Sequence, residues 1–394
     1  MQIKKLLSKT ELIKPGKHTE FLLLTLLAII SVMALLYATI GGLIWTSDSF
    51  NYWAASRSFA AEGNFTAVDG GTYIFWPPLF PVILSIFNNY EAYFSLHLVV
   101  FALAIFTIFY CFKAITKNGF VSLMAVGLYS LSVYPYLAGS FLWSENLFIL
   151  LCYGSIYFYK KSEEKQRRWI YFTLAMLLGC LMCLQRNAGI FILVSFSIYE
   201  LLNFLNKKIS LKILLIKALL IFLAVLPNML WNLRSLQLQG VDNEIINRSY
   251  FIYFWSNLLA SAERLISLLS PTLITQNIYL NIGCLVILLS LLFFMRQIKL
   301  VQLILITYVT LLCLMPLIPF ESFDRLLSPL SPLLFLGFST IIYHNFIIKK
   351  DKLRLFFAGL FIITLCYNVL RTTQNLERWH ERSLAHPREH KIFF

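Results

Sequence analysis

A chain of 394 residues that is 59% hydrophobic and only 13% charged, with a mean hydropathy of +0.74, falls outside the composition of soluble globular proteins. It reads as an all-α polytopic membrane protein, because lipid offers no partner to open backbone and the residue alternation of a β-barrel is missing. The net charge of +14 needs no nucleic-acid partner, since most of the excess sits in short loops where orientation and anionic lipid account for it.

A hydrocarbon core about 30 Å thick takes roughly 20 apolar residues per helix. Runs of that kind predict helices near 21–44, 92–114, 119–138, 143–160, 169–184, 188–205, 212–231, 279–295, 300–318, 327–347 and 355–370, about eleven in all. The first follows Lys4, Lys5, Lys9, Lys14 and Lys17, as a secretory signal would. Its apolar core is too long and lacks a small-residue cleavage site, so a retained helix is expected.

With residues 1–20 as a cytoplasmic tail, alternate loops carry Lys113 and Lys117; Lys160, Lys161, Lys165, Arg167 and Arg168; Lys207, Lys208 and Lys212; Arg296 and Lys299; then Lys349, Lys350, Lys352 and Arg354. The opposite loops are poorer in lysine and hold most of the isolated acids. Residues 21–370 are then a single membrane domain with two long external segments, about 45–91 and about 232–278, and 371–394 is a short external tail.

In the first of those segments Thr46 or Ser47 caps an expected helix with Asp48, Asn51, Ala55, Ser58 and Glu62 on one face and Phe50, Trp53 and Ala54 opposite. Such a helix suits the membrane interface, with Arg57 snorkelling or paired on its apolar side. Pro77, Pro78 and Pro81 end it and start another. Cys111, Cys152, Cys180, Cys183, Cys284, Cys313 and Cys366 all fall in or at the ends of helices, and the Cys180/Cys183 spacing inside an apolar helix reads as packing. His380, His386 and His390 fall in the polar tail; His386 and His390 would share a face if helical, but a solvated tail accounts for them, and no metal or cofactor site is expected.

Asp48 follows the first membrane-length run directly, which leaves two readings: a carboxylate favoured by a helix N-terminus, or a general base at the edge of the hydrocarbon. The motifs that bear on the choice run through the chain. Asp48, Tyr52, Ala55 and Gly63, with Trp76 leading into Pro77-Pro78-Leu79-Phe80-Pro81, resemble the first external loop of GT-C fold glycosyltransferases, nearest to protein O-mannosyltransferases and aminoarabinose transferases. Ser144-Glu145-Asn146-Leu147-Phe148, Gly179 through Arg186-Asn187-Ala188-Gly189, Leu226-Pro227 with Trp231-Asn232-Leu233-Arg234, and Asp324 through Pro332 follow in the family's order. Two departures stand out: Ser49-Phe50 replaces an acidic-aromatic pairing, and Leu326-Leu327-Ser328 replaces an aromatic after Arg325.

The resemblance implies a GT-C type bundle, with interfacial helices in the first loop, that moves a sugar from a polyprenyl or dolichyl phosphate to an acceptor hydroxyl outside the cytoplasm, with inversion. Asp48 would be the general base, and Arg325, Arg186 and Arg234 the candidate ligands of the departing phosphate, Arg325 first because Glu321, Asp324 and Arg325 cluster in a short loop. A local ion pair with Asp324 would occupy that guanidinium. Glu145 is a candidate second acid for acceptor positioning, and Tyr52, Trp76, Pro77 and Pro78 support the loop.

Tyr250-Phe251-Ile252-Tyr253-Phe254-Trp255 reads as an interfacial aromatic belt, a membrane anchor or a grip on the prenyl chain or sugar. Asn64-Phe65-Thr66 and Asn247-Arg248-Ser249 are external glycosylation sequons. With no large soluble domain after residue 371, the expected acceptor is a lipid or glycan before a protein, in a plasma membrane or the endoplasmic reticulum according to the host. Two other functions use the same features: a transporter or flippase of lipid-linked solutes, which would call for ionisable residues inside the membrane where the sequence places none, and a lipid-linked oligosaccharide ligase or polymerase.

Overall fold

The computed structural model describes residues 16–74, 76–87, 89–164, 167–239, 253–269, 278–315, 322–345 and 354–385. Helices dominate these residues, and the only β-pairings among them are isolated bridges from Ile44 to Phe141 and from Thr66 to Thr72. In chain order they are α1 (Lys17–Ala38), α2 (Ser47–Glu62), α3 (Leu79–Ser85), α4 (Tyr90–Thr116), α5 (Gly119–Ser130), α6 (Val133–Gly139), α7 (Glu145–Lys161), α8 (Arg168–Gln185), α9 (Gly189–Leu205), α10 (Leu211–Gln239), α11 (Phe254–Ile266), α12 (Ile278–Phe294), α13 (Lys299–Cys313), α14 (Ser322–Leu327), α15 (Ser331–Tyr343) and α16 (Arg354–Ala385).

Seven of these are long and apolar enough to cross a membrane, counting α14 and α15 as one span, and eight if the bent pair α5–α6 is taken as another. α9 and α13 are shorter apolar helices, so the expected eleven full-length spans are not what the described residues show. The protein is nevertheless an integral membrane protein built on apolar helices.

The differences from the expected helices have local causes. The run 119–138 is broken between α5 and α6 and bends by 60°, because Pro135 has no N–H and its ring crowds the carbonyl four residues back, that of Leu131. The freed carbonyls find new donors: Thr372 Oγ1 donates to Leu131 O at 2.8 Å and Tyr136 OH to Ser130 O at 2.8 Å. The run 327–347 opens on a 3₁₀ turn, Ser328–Leu330, that contains Pro329 and leads into α15, whose second residue is Pro332.

α10 extends past the expected residue 231 to Gln239, which carries Arg234 on the same helix as Trp231 and not in the external segment expected from 232. Residues 371–385 are no tail. They continue α16, whose Trp379 is buried, whose Ser383 Oγ accepts from Gly41 N, and whose His380 stacks on Tyr37 at 4.2 Å. Tyr250 to Ile252, the sequon at 247–249, Glu321, His386 and His390 lie outside the described residues.

The core follows the helices that lead to the site. α4 packs along α7, α7 along α8, and α5 along α15. One expectation about charge is overturned: Glu200, five residues inside the end of α9, and Lys217, six inside the start of α10, are both buried and paired at 2.5 Å, with Tyr159 OH also donating to Glu200 at 2.7 Å. Ionisable residues are therefore not confined to the membrane surfaces.

Candidate active site

Asp48 stands in the first turn of α2, whose start is fixed by Thr46 N donating to Ser49 Oγ at 3.0 Å. Ser49 Oγ in turn donates to Leu142 O at 3.0 Å, Trp143 Nε1 donates to Thr46 Oγ1 at 2.8 Å, Ile44 N donates to Ser140 O at 2.9 Å and Leu142 N donates to Ile44 O at 3.0 Å. These contacts bind the loop before α2 to the turn that opens α7. They set Asp48 beside Glu145, the first residue of α7.

Arg186 is the residue that ends α8, with extended backbone, and the turn after it returns so closely that a Cβ on Gly189 would stand 2.9 Å from the backbone of Met182 and Cys183. Asn228 of α10 holds that turn, donating to Cys183 O at 2.8 Å and Asn187 Oδ1 at 3.0 Å. Arg325 comes from α14, whose short helix is tied down by Tyr308 OH donating to Leu326 O at 2.9 Å and by Ser328 Oγ donating to Arg325 O at 2.8 Å.

Four charges from these segments meet. Arg325 pairs with Asp48 through Nη1 and with Glu145 through Nε, and Arg186 pairs with Glu145 through Nη1. Glu145 is 1% exposed and the other three side chains between 14% and 19%, so the group is a largely buried network that solvent reaches at Asp48, Arg186 and Arg325. The Arg325 guanidinium also lies over the Trp143 ring at 4.2 Å, which fixes its plane. Asp324 does not occupy Arg325, contrary to expectation. It accepts from Arg264 of α11 at 2.9 Å and from Tyr134 OH at 2.9 Å, a second polar group next to the first.

Around Asp48 stands an aromatic wall. Tyr52 is buried against Phe80, Trp76 and Tyr73 at ring distances of 4.9, 5.6 and 6.5 Å, and its hydroxyl faces Ser144 Oγ at 3.4 Å. Burial, with the charge of Glu145, pushes the Tyr52 phenol up to about 12, so it is a hydroxyl at any physiological pH. Pro78 precedes α3 and Pro77 precedes it in turn, holding Trp76 so that its carbonyl accepts from Trp231 Nε1 at 3.1 Å.

Arg234 is the one phosphate-ligand candidate the fold leaves apart: it is exposed, one turn beyond Trp231, over whose ring it lies at 5.6 Å. Arg57, expected to snorkel or pair, does the latter, stacking on Trp53 at 4.0 Å and donating to Leu84 O and Phe87 O. Sequence reasoning missed Trp143, Tyr73 and Arg264. Tyr73 is buried beside Tyr52 with no hydrogen-bond partner for its hydroxyl among the described residues, and only its place between Gly71 and Trp76 in an aromatic loop hinted at it.

The arrangement can hold an anion on two guanidiniums while a carboxylate stands close by. No family model matches the chain, and no curated protein matches it by sequence. Solved structures do match by shape. ArnT from Cupriavidus metallidurans bound to undecaprenyl phosphate superposes with a TM-score of 0.57 at 11% identity, over 92% of this chain and 77% of that one. The Archaeoglobus fulgidus oligosaccharyltransferase in its apo form gives 0.57 at 13% identity, over 94% of this chain and 56% of the larger protein. The archaeal oligosaccharyltransferase AglB from the same organism, in complex with an inhibitory peptide and a dolichol-phosphate, gives 0.51 at 14% identity, over 92% of this chain and 56% of that one. This polytopic chain therefore has the GT-C type fold of those membrane transferases.

Proposed function

We propose that the chain is an integral membrane glycosyltransferase that takes a sugar from a polyprenyl or dolichyl phosphate and places it, with inversion, on an acceptor hydroxyl at the extracytoplasmic face. The observation that carries the reading is the convergence of Asp48, Glu145, Arg186 and Arg325 from four separate segments at one end of a GT-C type bundle. The undecaprenyl phosphate on ArnT and the dolichol-phosphate on AglB support a lipid-phosphate carrier.

In the proposed reaction the acceptor oxygen forms its bond to the anomeric carbon from the face opposite the phosphate, its proton passing to the Asp48 carboxylate. The bond from that carbon to the phosphate oxygen breaks, and its electron pair leaves on the lipid phosphate. Charge grows there as the bond breaks, so fixed guanidiniums count most in the transition state. Arg325 and Arg186 are placed for that task, Arg325 with its fork geometry. A phosphate arriving at Arg325 competes for its donors, which loosens Asp48 just when a base is needed. Glu145, locked between both arginines, sets their spacing. The acceptor is a lipid or glycan in this reading.

The oligosaccharyltransferase among the structural relatives keeps a second reading in view, a lipid-linked oligosaccharide as donor. The deciding experiment measures release of polyprenyl phosphate from a panel of polyprenyl-phosphate sugars by purified wild type and Asp48→Asn, with cell lipid extract as acceptor. Release by wild type and its near-complete loss in a folded Asp48→Asn is expected. No release from any monosaccharide donor shifts the reading to an oligosaccharide donor or to lipid transport.

A further inference from the structure

The proposed chemistry uses one end of α7, and the other end carries a feature it leaves unused. α7 runs 17 residues from Glu145 to Lys161, so at about 1.5 Å per residue its ends stand about 25 Å apart, near the depth of the hydrocarbon core. Along its flank, between α4 and α8, lies an apolar groove of about 510 Å³ lined by Thr107, Leu150, Leu151, Phe158 and Leu178, with Gly154 among them. The groove depends on that glycine, since a Cβ there would stand 3.0 Å from Leu178 Cδ1.

Tyr110 and Tyr157 line the groove and also line a second cavity of about 320 Å³, whose other walls are Lys113, Ala114, Lys117 and Lys161. An apolar slot thus opens into a cup of three ammonium groups, with two tyrosines at the level where interfacial aromatics sit. Lys113 pairs with Glu20, while Lys117 and Lys161 share the single carboxylate of Glu164 at 3.3 and 3.1 Å. Lys160 beside them pairs with Glu163. Three lysines of the cup against Glu20 and Glu164 leave one positive charge, and an ammonium with three donors is not saturated by one oxygen.

We infer that this cup and groove bind one anionic phospholipid of the leaflet opposite the catalytic cluster, its phosphate on Lys117 and Lys161 and one acyl chain in the groove. Length decides the occupant. From Lys161 to Leu150 is 11 residues of α7, about 16 Å, which is roughly half of a 30 Å core and so the depth of a single leaflet. A polyprenyl chain would overrun it, whereas an acyl chain ends where the groove ends. The inference stands apart from the proposed reaction, because neither cavity touches the Asp48 network.

Native mass spectrometry of the purified full chain tests it, with phosphatidylglycerol, phosphatidylcholine, undecaprenyl phosphate and inorganic phosphate as separate probes. Wild type is expected to retain phosphatidylglycerol roughly ten-fold over phosphatidylcholine, since interfacial lysines attract anionic headgroups. The double variant Lys117→Ala with Lys161→Ala should lose that preference, and Lys207→Ala with Lys208→Ala, a lysine pair elsewhere, should keep it. Thr107→Phe, which fills the groove, should lower retention of both phospholipids with the lysines intact; if it does not fold, the lysine variants decide alone. Equal retention of charged and neutral lipid, or equal loss in both lysine variants, overturns the site. Displacement by inorganic phosphate alone overturns the role of the groove, and preferential retention of undecaprenyl phosphate overturns the occupant.

Discussion

Glu145 is the most constrained side chain in the ion-pair cluster, buried to 1% exposure with two guanidiniums on it. Removing its charge strands Arg186 in a poorly solvated place and leaves Arg325 with Asp48 alone, and breaking such a pair costs about 3 kcal/mol or more. Glu145→Gln is therefore expected to lose that much stability by thermal unfolding in detergent, and adding Arg186→Gln should restore a good part of it. Arg325→Lys keeps the charge and loses the fork that reaches Asp48 and Glu145 together. Its kcat with a lipid-phosphate donor should fall at least ten-fold in the release assay, with unfolding close to wild type. Tyr73→Phe removes a buried hydroxyl that has no partner among the described residues, so it should raise stability by about 1 kcal/mol in the same melt. The residues of the cluster could be picked from the sequence because the motifs that carry the GT-C resemblance include Asp48, Glu145, Arg186 and Arg325. Their pairing could not: Arg325 meets partners 180 and 277 positions away, and the nearer acid, Asp324, turns to Arg264 instead.

Helices were legible to the extent that their causes are local. Apolar length marks α1, α4, α8 and α12 within a few residues of where they lie, because hydropathy alone sets a lipid-facing span. The break between α5 and α6 escaped notice although Pro135 is plain in the sequence, because a proline says that a carbonyl is freed and not which distant hydroxyl will take it. Thr372 is that hydroxyl for Leu131, and Thr372→Val should cost about 1 kcal/mol. The turn after α8 is set by close approach, and Gly189→Ala would drive a Cβ into backbone that cannot yield. A loss of roughly 2 kcal/mol in thermal stability is expected, together with weaker donor binding, since the same turn carries Arg186.

The two ends of the bundle differ in kind, with the ion network at one and the lysine-rich turns at the other. If the network faces outward, as the lysine distribution predicts, an impermeant maleimide should label Ser47→Cys on intact cells and Ser210→Cys only after permeabilisation, in a Cys366→Ser background. The reverse pattern would place the proposed chemistry in the cytoplasm. Sequence charge predicts this orientation without a fold, whereas the packing of α16 against α1 could not be read from it, since a polar, lysine-poor stretch after residue 371 resembles solvent-exposed chain.

That packing has a bearing on the order in which the ion network can settle. Residues 379–383 press on Tyr37 and Gly41, the approach to the loop that carries Asp48. Synthesis makes that loop well before its support, so a nascent chain halted before about residue 380 would hold Asp48, Glu145, Arg186 and Arg325 without a settled place for the first of them. The network is thus placed only once residues 379–383 have emerged and docked.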